Sequence, residues 1–121
     1  MNKRAAGAAW EQKAAEYLEA FGMKIAERNY RNSRGEIDII GYHEGYLVFV
    51  EVKYRSSARK GYAAEAVNAG KQRKICRIAD YYRYTHNLGE GTAVRYDVVA
   101  IQGECIEWLQ NAFLHIYSGN R

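Results

Sequence analysis

The chain has 121 residues, 48% of them hydrophobic and 26% charged, and its 18 Lys and Arg against 14 Asp and Glu leave a net charge of +4. This is the composition of a soluble globular protein, and residues 1–121 are expected to form a single domain with a core of its own; the basic excess permits a polyanionic partner without demanding one. Two cysteines without CxxC spacing argue against a zinc site or a disulfide framework, three scattered histidines give a hydrolase triad no support, and no run could span a membrane, so a cytoplasmic protein is expected.

The N-terminal stretch MNKRAAGAAWEQKAAEYL opens with basic residues and alanines as a signal peptide does, but Glu11 and Lys13 interrupt it before an apolar core forms. Residues 8–21 read instead as a helix, with Trp10, Ala14, Tyr17, Leu18 and Phe21 on one stripe and Gly22 as the stop. Glu16 and Glu19 project away from that stripe. Glu11, seven residues before Leu18, lies only about 20° from it around the axis and is the acid that points inward. Residues 23–31 follow as a first strand, with Ile25 the clearest inward residue, and Asn32-Ser33-Arg34-Gly35 is a turn cluster.

The next stretch, GEIDIIGYHEGYLVFVEVKYR from Gly35 to Arg55, organises the chain. Two strand-like runs flank Glu44-Gly45, which can close a two-residue hairpin. In the second run Leu47, Phe49, Glu51 and Lys53 share one face, and Tyr46, Val48, Val50 and Val52 the other. The hairpin register sets Ile40 against Phe49, Tyr42 against Leu47 and Asp38 against Glu51, with Ile37 and Ile39 opposite Val52 and Val50 on the other face. Both faces are mostly apolar, so the hairpin reads as buried. Two carboxylates about 5 Å apart at Cβ repel by roughly 3 kcal/mol at an effective dielectric near 20. Lys53 brings one positive charge, but a divalent cation answers the lone pairs of two carboxylates better, and Mg²⁺ or Mn²⁺ favours one or two carboxylates plus water and phosphate oxygens. The competing reading is an Asp–Lys–Glu ion-pair network at a sheet end. Glu11 is either a third carboxylate reaching this cluster or a solvated acid at the edge of its helix stripe.

A polar segment after Lys53 carries Arg55, Arg59 and Lys60; a basic loop leaving the charged end of the strand is suited to holding a phosphate backbone, though a solvated loop has the same composition. Residues 66–84 form the longest helix, with Ile75, Ile78, Ala79 and Tyr82 as its buried stripe, Lys71 and Gln72 on the flanks within reach of the sheet end, and Arg73 and Arg77 outward. Residues 87–92, NLGEGT, make a turn, residues 94–101 a strand and residues 106–109 a short last one. Asp97, on the same strand face as Arg95, reads as half of a structural ion pair. Most of the 11 tyrosines read as half-buried residues around a small core rather than as stacking platforms. The order αβββαββ predicts an α/β fold, a mixed β-sheet with helices packed on it.

An Asp on one strand, Glu-x-Lys on its hairpin partner and an N-terminal helix with an inward Glu resemble the PD-(D/E)xK nuclease superfamily and its restriction-endonuclease-like fold. More closely, the chain resembles the bacterial YraN-like family of predicted endonucleases, themselves similar to archaeal Holliday-junction resolvases. The matching pieces run nearly end to end: Glu11 with Ala14 and Leu18, Arg28-Asn29-Tyr30, Gly35-Glu36-Ile37-Asp38, Phe49-Val50-Glu51-Val52-Lys53 with Arg55, Lys71 with Ile75, Arg95-Tyr96-Asp97 and Asn111-Ala112-Phe113. Trp10 stands where that family usually has Gly, and Ile37 precedes the Asp where the superfamily has its nominal Pro.

The resemblance implies that Asp38 and Glu51 ligate Mg²⁺ (or Mn²⁺), that Glu11 reaches it directly or through water, and that Lys53 orients the attacking water, which makes Glu11, Asp38, Glu51 and Lys53 the catalytic set. Arg55, Arg59, Lys60, Lys71 and Gln72 are the expected nucleic-acid contacts. The implied activity is phosphodiester hydrolysis of nucleic acid, structured or branched DNA foremost, with a homodimer as the resolvase-like arrangement and no small-molecule cofactor. The alternatives are a non-catalytic nucleic-acid-binding module assisting repair or recombination, and an interaction domain whose charges are only a salt-bridge cluster.

Overall fold

A computed structural model describes residues 3–54 and 67–117, with side chains from Gly7 onward. Seven elements follow in the expected order: α1 (Lys3–Ala20), β1 (Lys24–Asn32), β2 (Gly35–His43), β3 (Tyr46–Tyr54), α2 (Ala69–Thr85), β4 (Val94–Gln102) and β5 (Cys105–Phe113). The strands make one open mixed sheet in the order β1-β2-β3-β4-β5, with β3 and β4 parallel and every other pair antiparallel. A parallel neighbour needs a crossover, and α2 supplies it. Arg55, Arg59 and Lys60, expected to contact nucleic acid, lie outside the described residues. Among the described residues no helix is long and apolar enough to cross a membrane.

The sheet carries a core on each face. On one, Ala14, Ala15 and Leu18 of α1 pack on Ile39, Val48, Val50, Val99 and Ile101. On the other, Ile75, Cys76, Ile78, Ala79 and Tyr82 of α2 pack on Ile40, Leu47, Phe49, Tyr96 and Val98. With both faces covered, β3 and β4 are buried on both sides over most of their length and mostly apolar, as suits a parallel pair. α1 stops where Gly22, at φ 104°, lets the Met23 N–H reach back to the Leu18 carbonyl at 2.9 Å, a left-handed cap.

Several expectations need correction. Phe21 falls just past α1 and is 60% exposed, resting on Tyr17 rather than joining the stripe. Ala15 takes the place in the core. β5 extends to Phe113, well beyond the short strand expected, because its pairing with β4 continues past a bulge to Tyr96–Phe113. α2 begins at Ala69, capped by Asn68, whose side chain accepts the Lys71 N–H at 2.9 Å. Ile37 belongs with Ile40 on the α2 side, not with Ile39. The break in alternation lies at Asp38, which with Asn29 opposite it stands between the Arg28–Ile39 and Tyr30–Ile37 pairs, and Asn29 is left-handed there at φ 54°.

Candidate active site

The β2–β3 hairpin closes through Glu44 and Gly45, both at positive φ (53° and 86°), as a two-residue hairpin turn requires. This sets the register Tyr42–Leu47, Ile40–Phe49 and Ile39–Val50, where the pairing ends. One step further on stand Asp38 and Glu51. The ladder does not continue through them: the Val52 N–H donates to Asp38 Oδ2 at 2.8 Å, so a side chain replaces the backbone partner. The break of alternation in β2 falls at this same residue. Asp38 is thereby held in place by β3 while its remaining lone pairs are free for other partners.

Glu51, 9% exposed, is met from two sides. Lys71 Nζ lies 2.8 Å from Glu51 Oε2, and Lys53 Nζ lies 3.7 Å from the same oxygen. The Asn68 cap fixes the first turn of α2 and so sends Lys71 to the carboxylate. Burial works against the charged form of Lys71, but the hydrogen bond and charge of Glu51 outweigh it and hold its pKa above the ordinary lysine value. Gln72, called alongside it, turns away and donates to the Val67 carbonyl at 2.9 Å.

Asp38 is the unbalanced group. Burial pushes its carboxyl from 3.8 up to about 7, the Glu51 charge adds to this, the Val52 N–H opposes it, and Glu11 contributes a further smaller repulsion. Glu11 is half-buried on α1, near enough for its charge to be felt. Trp10 beside it stacks on Tyr54 with ring centroids 3.7 Å apart and planes 5° from parallel, which ties this part of α1 to the end of β3 just past Lys53. The residue that departs from the resembled pattern therefore anchors the helix to the site.

Asp38 and Glu51 open into a cavity of about 230 Å³ whose other walls are Glu36, Lys71, Lys74, Ile75 and Ile78. Glu36 entered the sequence reading only as part of Gly35-Glu36-Ile37-Asp38, with no site role, and Lys74 did not enter it. The available signal was the spacing of Lys74 three residues after Lys71 on the same helix flank. Gly35 is needed here: it sits at φ 145°, and a Cβ would meet the Lys74 side chain at 2.8 Å. Two hard carboxylates facing a solvent-connected cavity suit a cation of the Mg²⁺ kind that leaves its other positions to water and phosphate oxygens. Among the described residues no three acidic, His or Cys side chains group at metal-binding spacing. Of the expected ligands Asp38 and Glu51 line the cavity and Glu11 does not, so any such ion would rest on two carboxylates rather than in an all-protein cage.

Asp97 plays a different part. It is 1% exposed on the α1 side, gripped by Arg95 through two hydrogen bonds of 3.0 and 2.9 Å, and also accepts from Trp108 Nε1 and the Asn111 N–H. Arg95 in turn donates to His43 Nδ1 at 2.9 Å. This closed network is the structural ion pair the sequence suggested.

Residues 10–101, which include all the candidate site positions, match the model of the uncharacterised protein family UPF0102. The chain belongs to UPF0102. A UPF0102 protein of Lachnoclostridium phytofermentans is 48% identical over 113 residues, 93% of this chain and 96% of that protein. One from Aeromonas hydrophila is 44% identical over 88% of this chain and 83% of its own, and one from Fusobacterium nucleatum 39% identical over 92% of each. The UPF0102 match begins at Trp10, one residue before Glu11, and ends in β4, so α2 and the β2–β3 hairpin, which wall the cavity, and the Glu11-bearing part of α1 lie inside it.

Proposed function

We propose that this protein is a metal-dependent nuclease that hydrolyses phosphodiester bonds of nucleic acid, with structured or branched DNA as its substrate. The observation that carries the reading is Asp38: a carboxyl pushed up to about 7 by burial and by Glu51, at the wall of an open cavity, with its second carboxylate neighbour already drawing two lysines. Such a pair gains most from a divalent cation. Its resemblance to the PD-(D/E)xK pattern, Asp38 with Glu51-Val52-Lys53, points to the same chemistry.

Asp38 and Glu51 would hold the ion. When bound, it would supply an acidified, positioned water and positive charge at the phosphate. Lys53, tethered near Glu51 but beyond hydrogen-bonding distance, is free to orient the nucleophilic water and follow it toward phosphorus. Lys71 pairs with Glu51 and can transfer to a phosphate oxygen when substrate enters. Glu11 acts at longer range, by water or by charge. The Lys71–Glu51 contact also favours the second reading, a nucleic-acid-binding module without turnover, in which the lysine permanently takes the cation's place.

Calorimetric titration of Mn²⁺ into the wild type and Glu51→Gln, alone and with bound DNA, tests the reading. Binding by the wild type that disappears in the variant, together with Mn²⁺-dependent cleavage of a branched DNA, is the expected result. Heat of binding absent from both proteins with DNA bound would refute the metal site, and metal binding without cleavage of branched, duplex or single-stranded DNA would leave the binding module.

A further inference from the structure

Beside the carboxylate cavity lies a larger one of about 510 Å³, walled by Arg34 from the β1–β2 turn and by Arg77, Asp80, Tyr81 and Tyr84 of α2. The two adjoin along a single helix. Lys71, Lys74, Arg77, Tyr81 and Tyr84 succeed one another at three- and four-residue spacing and so lie along one side of α2, which runs about 20 Å from Lys71 to Tyr84. On the hairpin side the continuity is as close, because Glu36 lines the first cavity and Arg34 the second, with Gly35 between them packed on Lys74 and Ile78.

The lining has a definite chemistry. Among the described residues neither Arg34 nor Arg77 forms an ion pair, whereas the one acid of the lining, Asp80, is already paired with Arg83 at 2.8 Å. Two guanidiniums therefore face the groove uncompensated. The Arg34 guanidinium lies over the Tyr81 ring, 5.4 Å from its centroid, which covers that ring and holds the arginine over the groove. Tyr84 is 79% exposed, and its ring is open to a partner. Guanidiniums without an acid partner beside an open aromatic ring suit a flexible polyanion that carries flat rings, where stacking is tolerant of base identity.

We infer that this groove binds an unpaired strand of nucleic acid, seating a base on Tyr84 and adjacent phosphates on Arg34 and Arg77, and leads that strand along α2 to Asp38 and Glu51. The inference rests on the nuclease reading for its destination, but the groove itself needs no metal. Bases of an intact duplex are stacked inside the helix and cannot reach Tyr84, so the groove selects substrates with a single-stranded segment beside the cut.

The test is fluorescence anisotropy in EDTA with a labelled oligothymidylate of about 12 nucleotides and a duplex of equal length. Tyr84→Ala is expected to weaken single-strand binding about tenfold while Tyr84→Phe retains it and duplex binding is little changed. Arg34→Ala with Arg77→Ala is expected to lower the slope of log affinity against log salt by about 1.4, the loss of two phosphate contacts on a single strand. All three positions are on the surface of the helix or turn, and unfolding curves of each variant confirm intact folding. If the wild type binds the oligonucleotide and these variants bind it equally well, the groove is overturned. Absence of wild-type binding overturns it too. Metal-dependent cleavage of duplex or branched DNA by those same proteins is scored separately, so the nuclease reading survives or falls on its own result.

Discussion

Replacing Asp38 by Asn removes the charge and keeps an oxygen to accept the Val52 N–H. A carboxyl that ionises near 3.8 in the unfolded chain and near 7 in the folded protein binds the additional proton in the folded state between those values. Wild-type stability must therefore fall as pH rises through that window, level off above about 7, and be unaffected by this group below 3.8. At about 1.36 kcal/mol per pH unit, the full cost of the ionised carboxylate is about 4 kcal/mol. Asp38→Asn escapes it. Urea unfolding in EDTA should show the variant close to the wild type at about pH 4 and more stable by up to about 4 kcal/mol at pH 8. Adding Mn²⁺ at pH 8 should then stabilise the wild type and not the variant, because only the wild type gains a ligand in its folded state. A stability difference that stays flat between these pH values, or an Asn variant weaker than the wild type at pH 8, would show that Asp38 is already balanced in place and would refute the argument.

Two predictions concern the scaffold. Arg95→Ala leaves Asp97 buried without its guanidinium and should cost about 3–5 kcal/mol in urea unfolding, with a loss below about 1 kcal/mol showing that Trp108 and Asn111 suffice. Gly41→Ala puts a Cβ 2.8 Å from the Lys24 carbonyl oxygen and from Met23 Sδ; backbone oxygen cannot step aside, so a loss of about 1–3 kcal/mol is expected, and an unchanged melting curve would show that β1 can shift.

Local pattern carried much of this protein. Period-two spacing and the Glu44-Gly45 turn specify the hairpin register, and register alone brings Asp38 and Glu51 to neighbouring positions, since a one-residue slip would send each to the wrong face. Helical periodicity likewise put Lys71 on the flank of α2 from which it reaches Glu51. These are properties of one or two adjacent elements. Where the reading missed, the cause was an interaction between elements. The alternation of β2 breaks at Asp38, opposite the left-handed Asn29 of β1, and Ile37 lies on the α2 face, which no count along β2 could foresee. Gln72 flanks the buried stripe of α2 as Lys71 does, yet a nearer carbonyl takes its amide. The Asp38 carboxyl is raised chiefly by burial, and burial exists only once both helices have closed on the sheet. The groove of Arg34, Arg77, Tyr81 and Tyr84 joins a β-turn to a helix far along the chain. Sequence thus determined which charges this protein carries and how they are spaced within each element, whereas packing of distant segments decided which of them are desolvated, paired or left open, because those energies depend on neighbours that the chain brings together only on folding.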